Sequence, residues 1–237
     1  MIELTMLKMT GALEALPRLS GIQDKHQYLK SLLQAEIQHR EERTAKRRLS
    51  QAKFPTDKEW HDIKADINPQ IDFDKIKTHN NGQFIRDKEN LCLMGQQGTG
   101  KTHSLIALGR ALCRQKISVK FHTAANLANQ LEEAKASHHL SKLMQTLIKP
   151  QLLIIDELGF VPFSENGARL LFDVFASRYE KGSIAVSTNL SFEKWLQIFG
   201  TPELTAALID RFSHRCHIYT FEGKSARLAA AKQRMKK

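Results

Sequence analysis

The sequence predicts an α/β fold in which a mainly parallel sheet is covered by helices on both faces. Three observations carry this reading. Short apolar runs alternate with helical stretches through the last two thirds of the 237 residues, the pattern that builds parallel sheets. A glycine-rich loop, Gly95-Gln96-Gln97-Gly98-Thr99-Gly100-Lys101-Thr102, stands between the first such run and the first such stretch. A later apolar run, Leu152-Leu153-Ile154-Ile155, ends in the adjacent carboxylates Asp156 and Glu157.

Taken in chain order, residues 1 to about 65 read as helical, with Leu29, Leu32, Leu33, Glu36 and Ile37 at helical spacing. The stretch from 38 to 58 is basic and carries Arg40, Arg43, Lys46, Arg47, Arg48, Lys53 and Lys58. Arg40, Arg43 and Arg47 fall on one helical face with Lys46 beside them, and Pro55 ends the helix. The segment holding Asn68-Pro69 and Asn80-Asn81-Gly82 reads as linker and turns. Strands are expected at 91–94, 118–121, 152–155, 184–187 and 217–220. Leu105, Leu108 and Leu112 mark the buried stripe of the helix after the glycine loop. Further helices are expected around 124–135, 164–180, 191–199 and 203–212. The expected division is a helical, basic unit over 1–67 and an α/β unit over 68–237.

Composition narrows the class. An apolar content of 41% with 26% charged residues is that of a globular protein, and no run approaches the roughly 20 apolar residues of a membrane span. The first residues lack a signal peptide's apolar core, so the expected location is cytoplasmic, with no membrane partner. Cys92, Cys113 and Cys216 have no paired spacing, and His138-His139 sits in a polar stretch. Both read as structural or solvated features, without a metal role. Thirty-six Lys and Arg against 25 Asp and Glu give a formal charge of +11, which points to a polyanionic partner, most commonly nucleic acid.

The chemistry lies in the motifs. Residues 95–102 fit G-x-x-x-x-G-K-[ST] in full and sit between strand and helix, where that motif cradles nucleotide phosphates. Gly95 to Thr102, with His103 next in the helix, are therefore candidate ATP-binding residues. Lys101 brings charge to the β- and γ-phosphates, and the Thr102 hydroxyl suits Mg2+. Asp156, at the end of its strand, is the second candidate for magnesium, and Glu157 is placed to orient or deprotonate the attacking water. A carboxylate beside the magnesium ligand favours an ATPase over a small-molecule kinase. Asn189 ends the run Ser187-Thr188-Asn189 and is a candidate for contact with the γ-phosphate or the water. Arg211, closing an apolar helix, and Arg227 are candidate transition-state arginines, and spacing leaves open whether Arg211 serves its own nucleotide or a neighbour's.

The glycine loop, Asp156-Glu157-Leu158-Gly159-Phe160-Val161-Pro162-Phe163, then Ser187 to Trp195 and Phe199-Gly200 together resemble the IstB-like ATPases, helper proteins encoded beside transposases in bacterial insertion sequences. Glu41-Glu42-Arg43 through Arg47-Arg48 and Lys53-Phe54-Pro55 extend the resemblance to nearly the whole chain. It implies an AAA+ P-loop NTPase with a five-stranded parallel sheet of order 5-1-4-3-2, a small N-terminal helical domain and an abbreviated lid. It further implies ATP-dependent self-association on duplex DNA and recruitment of a partner transposase. The position of Asn189 matches that family's sensor 1, Arg211 a finger acting across a subunit interface, and Arg227 a sensor 2. Here Ser225-Ala226-Arg227 stands for the usual Ser-Tyr-Arg, and Gln96-Gln97 for a more usual Pro-Pro. The basic segment, with Arg40, Arg43, Lys46, Arg47, Arg48 and Lys53, fits contact with DNA phosphates. The family is related to the DnaC helicase loaders, so the alternative is a loader whose N-terminal helices grip a replicative helicase.

Overall fold

The computed structural model describes residues 2–226 and 228. Five parallel strands form one sheet: β1 (Asn90–Gly95), β2 (Val119–Thr123), β3 (Leu152–Leu158), β4 (Ser183–Thr188) and β5 (Cys216–Phe221). Their order is β2-β3-β4-β1-β5, which from the other edge is the 5-1-4-3-2 arrangement expected. Side chains alternate across each strand, so the central strands feed two cores. Leu91, Leu93, Ile154 and Ala185 pack on one face with Leu105, Leu108 and Leu112 of α6 (Lys101–Arg114). Cys92, Leu153, Ile155 and Val186 pack on the other with α7 (Ala124–Ala136), α9 (Glu165–Arg178), α10 (Leu196–Phe199), which is shorter than the helix expected around 191–199, and α11 (Pro202–Ser213). A helix not expected from the sequence, α8 (Leu140–Ile148), joins this second layer through Leu143, Met144 and Leu147.

Three short helices precede the sheet: α1 (Ile2–Met6), α2 (Thr10–Leu19) and, after a long helix, α4 (Phe73–Lys77), followed by the single turn α5 (Gln83–Arg86). The long helix α3 (Lys25–Ala52) starts on Asp24, whose carboxylate accepts from the His26 and Gln27 amides. It stops before Pro55 at Lys53, which adopts a left-handed φ of 57°, because the residue before a proline disfavours helix. Of its sequence stripe, Leu32 and Glu36 are buried while Leu29, Leu33 and Ile37 are exposed. Glu36 accepts from the Ala12 amide at 3.1 Å and from Arg40 Nε at 2.6 Å, fastening the start of α2 to α3.

The segment holding Asn68-Pro69 and Asn80-Asn81-Gly82, expected as linker and turns, is built into the core. Ile71, Phe73, Ile76, Phe84 and Ile85 are buried beside α6, and Ala52, Phe54, Trp60 and Ile63 join the same cluster. Asn-Pro and Asn-Gly do mark turns here, with Gly82 at φ 69°, and the α-helices beside them are the short α4 and α5.

At the opposite face, Arg178 ends α9 and is 1% exposed. Its guanidinium donates to the carbonyls of Leu147, Ile148, Pro150, Gln151 and Ser183 at 2.7–3.2 Å. Those carbonyls lie at the end of α8 and in the turns into β3 and β4, where regular helix and sheet bonding runs out; the Gln151 carbonyl also accepts from the Ser183 amide at 3.1 Å. Burial lowers its pKa to about 10, so it stays charged at neutral pH. Arg178→Ala removes the guanidinium from five carbonyls at once, and urea unfolding is expected to show a loss of more than about 3 kcal/mol. A loss under about 1 kcal/mol would mean that water replaces the guanidinium.

Candidate active site

The glycine loop joins the end of β1 to the start of α6. Gly95 and Gly98 hold φ of 142° and 76°, and both are also needed for space. A Cβ on Gly95 would overlap the Phe221 carbonyl, and one on Gly98 would overlap the Ser225 side chain. Thr99 Oγ1 donates to the Gln96 carbonyl at 2.8 Å, and Lys101 Nζ donates to the Gly95 and Gln96 carbonyls, both at 2.7 Å. The loop is thus closed on itself, with the Lys101 ammonium at its centre.

Asp156 projects from the neighbouring strand but one, 2% exposed. Its Oδ1 accepts from Thr102 Oγ1 at 3.0 Å and from Ser187 Oγ. Burial raises the Asp156 pKa, and the Ser187 and Thr102 hydrogen bonds oppose that rise. Ser187 Oγ in turn accepts from the Glu157 amide at 2.9 Å. Glu157 lies at an irregularity in the β3–β4 register between Ile155 and Leu158, with a φ of 60° and its side chain exposed. A non-glycine residue there costs of order 1–3 kcal/mol and marks a position fixed by its surroundings. Thr188 secures the next turn by donating to the Leu158 carbonyl at 2.8 Å.

Gln97, Gly98, Lys101, Thr102, Glu157 and Asn189 line one cleft of about 100 Å³. The structure thus brings these motif residues together on one cleft. A second cavity of about 350 Å³ adjoins the outer side of the loop and includes His103 and Ala226. His103 is tied to the Glu59 carbonyl at 2.8 Å, so its ring serves the N-terminal segment. Among the described residues no group of three or more His, Cys, Asp or Glu could hold a metal ion. Thr102 with Asp156 fits magnesium all the same, since that ion takes few protein ligands and the rest from water and phosphate.

Arg211 stands apart. It lines a cavity with Lys88, Asn90, Gly182 and Arg215, at the N-terminal ends of β1 and β4. The six residues of β1 put roughly 17 Å between that end and the loop, so Arg211 does not enter its own cleft. Arg227 lies outside the described residues. The Ala226 amide before it donates to the Gly98 carbonyl at 2.9 Å.

On α3, Arg43, Lys46 and Arg47 are exposed, and Lys53 is exposed just beyond its end. Arg40 is paired with Glu36. Arg48 turns inward and its Nε is buried without a partner. Cys92 and Cys113 are buried thiols whose pKa values burial pushes up to about 12 and about 11, in keeping with a packing role.

Two functional groups escaped the sequence reading. Ser187 was visible only as a polar strand end, and its two hydrogen bonds, donated to Asp156 and accepted from the Glu157 amide, depend on sheet register. Asn68 and Gln70 clamp the segment after β5: Asn68 pairs both ways with Lys224, at 2.9 and 2.8 Å, and Gln70 donates to the Glu222 carbonyl at 2.5 Å.

Fold and cleft together define an AAA+ P-loop ATPase. A family model described as IstB-like ATP binding protein matches residues 2–234. The chain belongs to that family. It is 35% identical over 202 residues to an insertion sequence IS5376 ATP-binding protein of Geobacillus stearothermophilus, covering 85% of this chain and 80% of the relative. It is 33% identical over 202 residues to an insertion sequence IS21 ATP-binding protein of Pseudomonas aeruginosa, covering 85% and 76%. Among solved structures, AMPPCP-bound DnaA from Aquifex aeolicus is similar with a TM-score of 0.54 at 18% identity, over 69% of this chain and 49% of that one. The DnaC helicase loader is similar with a TM-score of 0.50 at 18% identity, over 62% and 86%. At such identities these likenesses concern the fold alone. No helix among the described residues is long and apolar enough to cross a membrane.

Ser187→Ala is expected to lower kcat for ATP hydrolysis by roughly 10- to 100-fold with little change in KM, because it frees the Glu157 backbone and leaves the loop intact. A raised KM with unchanged kcat would instead place Ser187 in nucleotide binding.

Proposed function

We propose that this chain is a transposition helper: an ATPase that self-associates on duplex DNA in the presence of ATP and magnesium and presents a target site to a partner transposase. The observation that carries the ATP chemistry is the Thr102–Asp156–Ser187–Glu157 network beside the loop. In this reading the loop amides and Lys101 bind the phosphates. Thr102 and Asp156 hold magnesium, which supplies positive charge to the phosphate oxygens when bound. Glu157 accepts the proton of the attacking water, and Asn189 positions that water or the γ-phosphate.

Arg211, at the far end of the sheet, completes the site of a neighbouring copy. Assembly and hydrolysis are then one switch: the ATP-bound interface forms with Arg211 in place and loosens once the γ-phosphate leaves. The N-terminal unit over 1–67 supplies DNA contacts through Arg43, Lys46, Arg47 and Lys53, which are exposed. Arg40 and Arg48 contribute less, since one is paired and the other turned inward. The relatives' insertion-sequence names support a transposase as partner over a replicative helicase.

Glu157→Gln is expected to bind ATP but hydrolyse it at least about 100-fold more slowly, and light scattering should show its assemblies persisting on duplex DNA. Adding Arg43→Glu and Arg47→Glu should abolish the DNA-bound assemblies while ATP binding remains. Wild-type hydrolysis by Glu157→Gln would remove Glu157 from the base role, and undiminished DNA binding by the double charge reversal would remove α3 from the footprint.

A further inference from the structure

The outer strand β2 carries a second basic site that the nucleotide cleft does not use. It lies at the sheet edge beside β3. Lys120 and His122 on β2, Lys53 beyond α3, Asn126 on α7 and Thr146 on α8 line a cavity of about 300 Å³, and none of the residues lining it is acidic. His122 Nε2 is buried and has no hydrogen-bond partner. Burial, then Lys120 and Lys53, push the His122 pKa down to about 4. Burial and Lys53 likewise lower the pKa of Lys120.

This arrangement is unfavourable by itself. Two ammonium groups repel each other, one of them partly desolvated, and a buried ring nitrogen lacks a partner; each is costly. A lysine on an edge strand can serve only to block edge pairing, but that role explains neither the unpaired His122 nitrogen nor the nearby Lys53. An anion that accepts from all three groups relieves every one of these costs. Lys120 Nζ also donates to the Gln51 carbonyl at 3.3 Å, so the cavity is fastened to the end of α3, directly beyond the exposed Arg43, Lys46 and Arg47.

We propose that this cavity holds a backbone phosphate of duplex DNA, gripped by Lys53 and Lys120 with His122 as a third donor. The inference rests on the DNA-binding reading above and extends the footprint from α3 onto the ATPase sheet. Exposed cations along α3 and a cavity lined by Lys53, Lys120 and His122 at the end of that helix fit a phosphodiester chain, whose charges repeat along a line.

The test is fluorescence anisotropy of labelled duplexes of unrelated sequence, titrated with the full chain plus ATP and magnesium over a salt series. Lys120→Gln removes the charge while keeping a polar N–H donor on a shorter stem, and thermal unfolding checks that it is folded. It is expected to raise Kd several-fold on every sequence and to reduce the slope of log K against log salt by about 1. Lys120→Arg restores both. In NMR spectra the His122 ring signals should shift with duplex and not with inorganic phosphate at the same phosphate concentration. Unchanged Kd and slope in Lys120→Gln, with wild type binding normally, overturn this site and leave the DNA reading standing. Failure of wild type to bind duplex overturns both. An equal His122 shift with inorganic phosphate overturns the DNA assignment in favour of a free anion.

Discussion

The buried carboxylate of Asp156 is the constraint on which the site depends. A charge at 2% exposure is tolerable only when hydrogen bonds replace its water, and its Oδ1 receives two, from Thr102 and from Ser187. Those donors come from α6 and β4, so one side chain holds the glycine loop, β3 and β4 in register. The strand order makes this possible. With β4 lying between β3 and β1, the C-terminal ends of three strands meet at one point, the usual place for ligands in open α/β sheets.

The same network supports strain where chemistry is expected. Glu157 leaves the sheet in a left-handed conformation, held on one side by Ser187 and on the other by Thr188, which bonds the Leu158 carbonyl. This aims a carboxylate into the cleft beside Lys101 and Thr102, away from the Asp156 position it follows in sequence. Two adjacent acids thus receive opposite environments, one buried and hydrogen-bonded, the other exposed and free to meet water. The loop is also braced from outside, by Phe221 against Gly95 and by the 222–226 segment against Gly98, Asn68 and Gln70.

What the sequence revealed was whatever is written in contiguous residues. The loop at 95–102 and the pair Asp156-Glu157 are local motifs whose spacing carries their mechanism. The strands were legible because buried parallel strands are short unbroken apolar runs. The misread parts are those that tertiary contacts decide. Asn68-Pro69 and Asn80-Asn81-Gly82 carry turn chemistry, and nothing local shows that Ile71, Phe73, Ile76, Phe84 and Ile85 between and after them insert beside α6. Arg178 looks like any helix-terminal arginine until five carbonyls are found around it. Arg47 and Arg48 are indistinguishable by type, yet one faces outward and the other turns inward. Ser187 reads as an ordinary strand-end serine until register places it between the Asp156 carboxylate and the Glu157 amide.

The position of Arg211 gives the account its central claim, that each hydrolytic site is completed by another copy of the chain. The Lys101→Ala protein lacks the loop's charge but keeps Arg211, and the Arg211→Ala protein keeps a whole loop but lacks the arginine. Each alone should be nearly inactive. The decisive measurement is the ATPase rate of the two variants mixed in equal amounts with duplex DNA. Recovery of activity well above the sum of the separate proteins is the predicted result, because some interfaces then pair an intact loop with an intact arginine. A rate equal to that sum would contradict the claim and return Arg211 to a structural role at the sheet's far end.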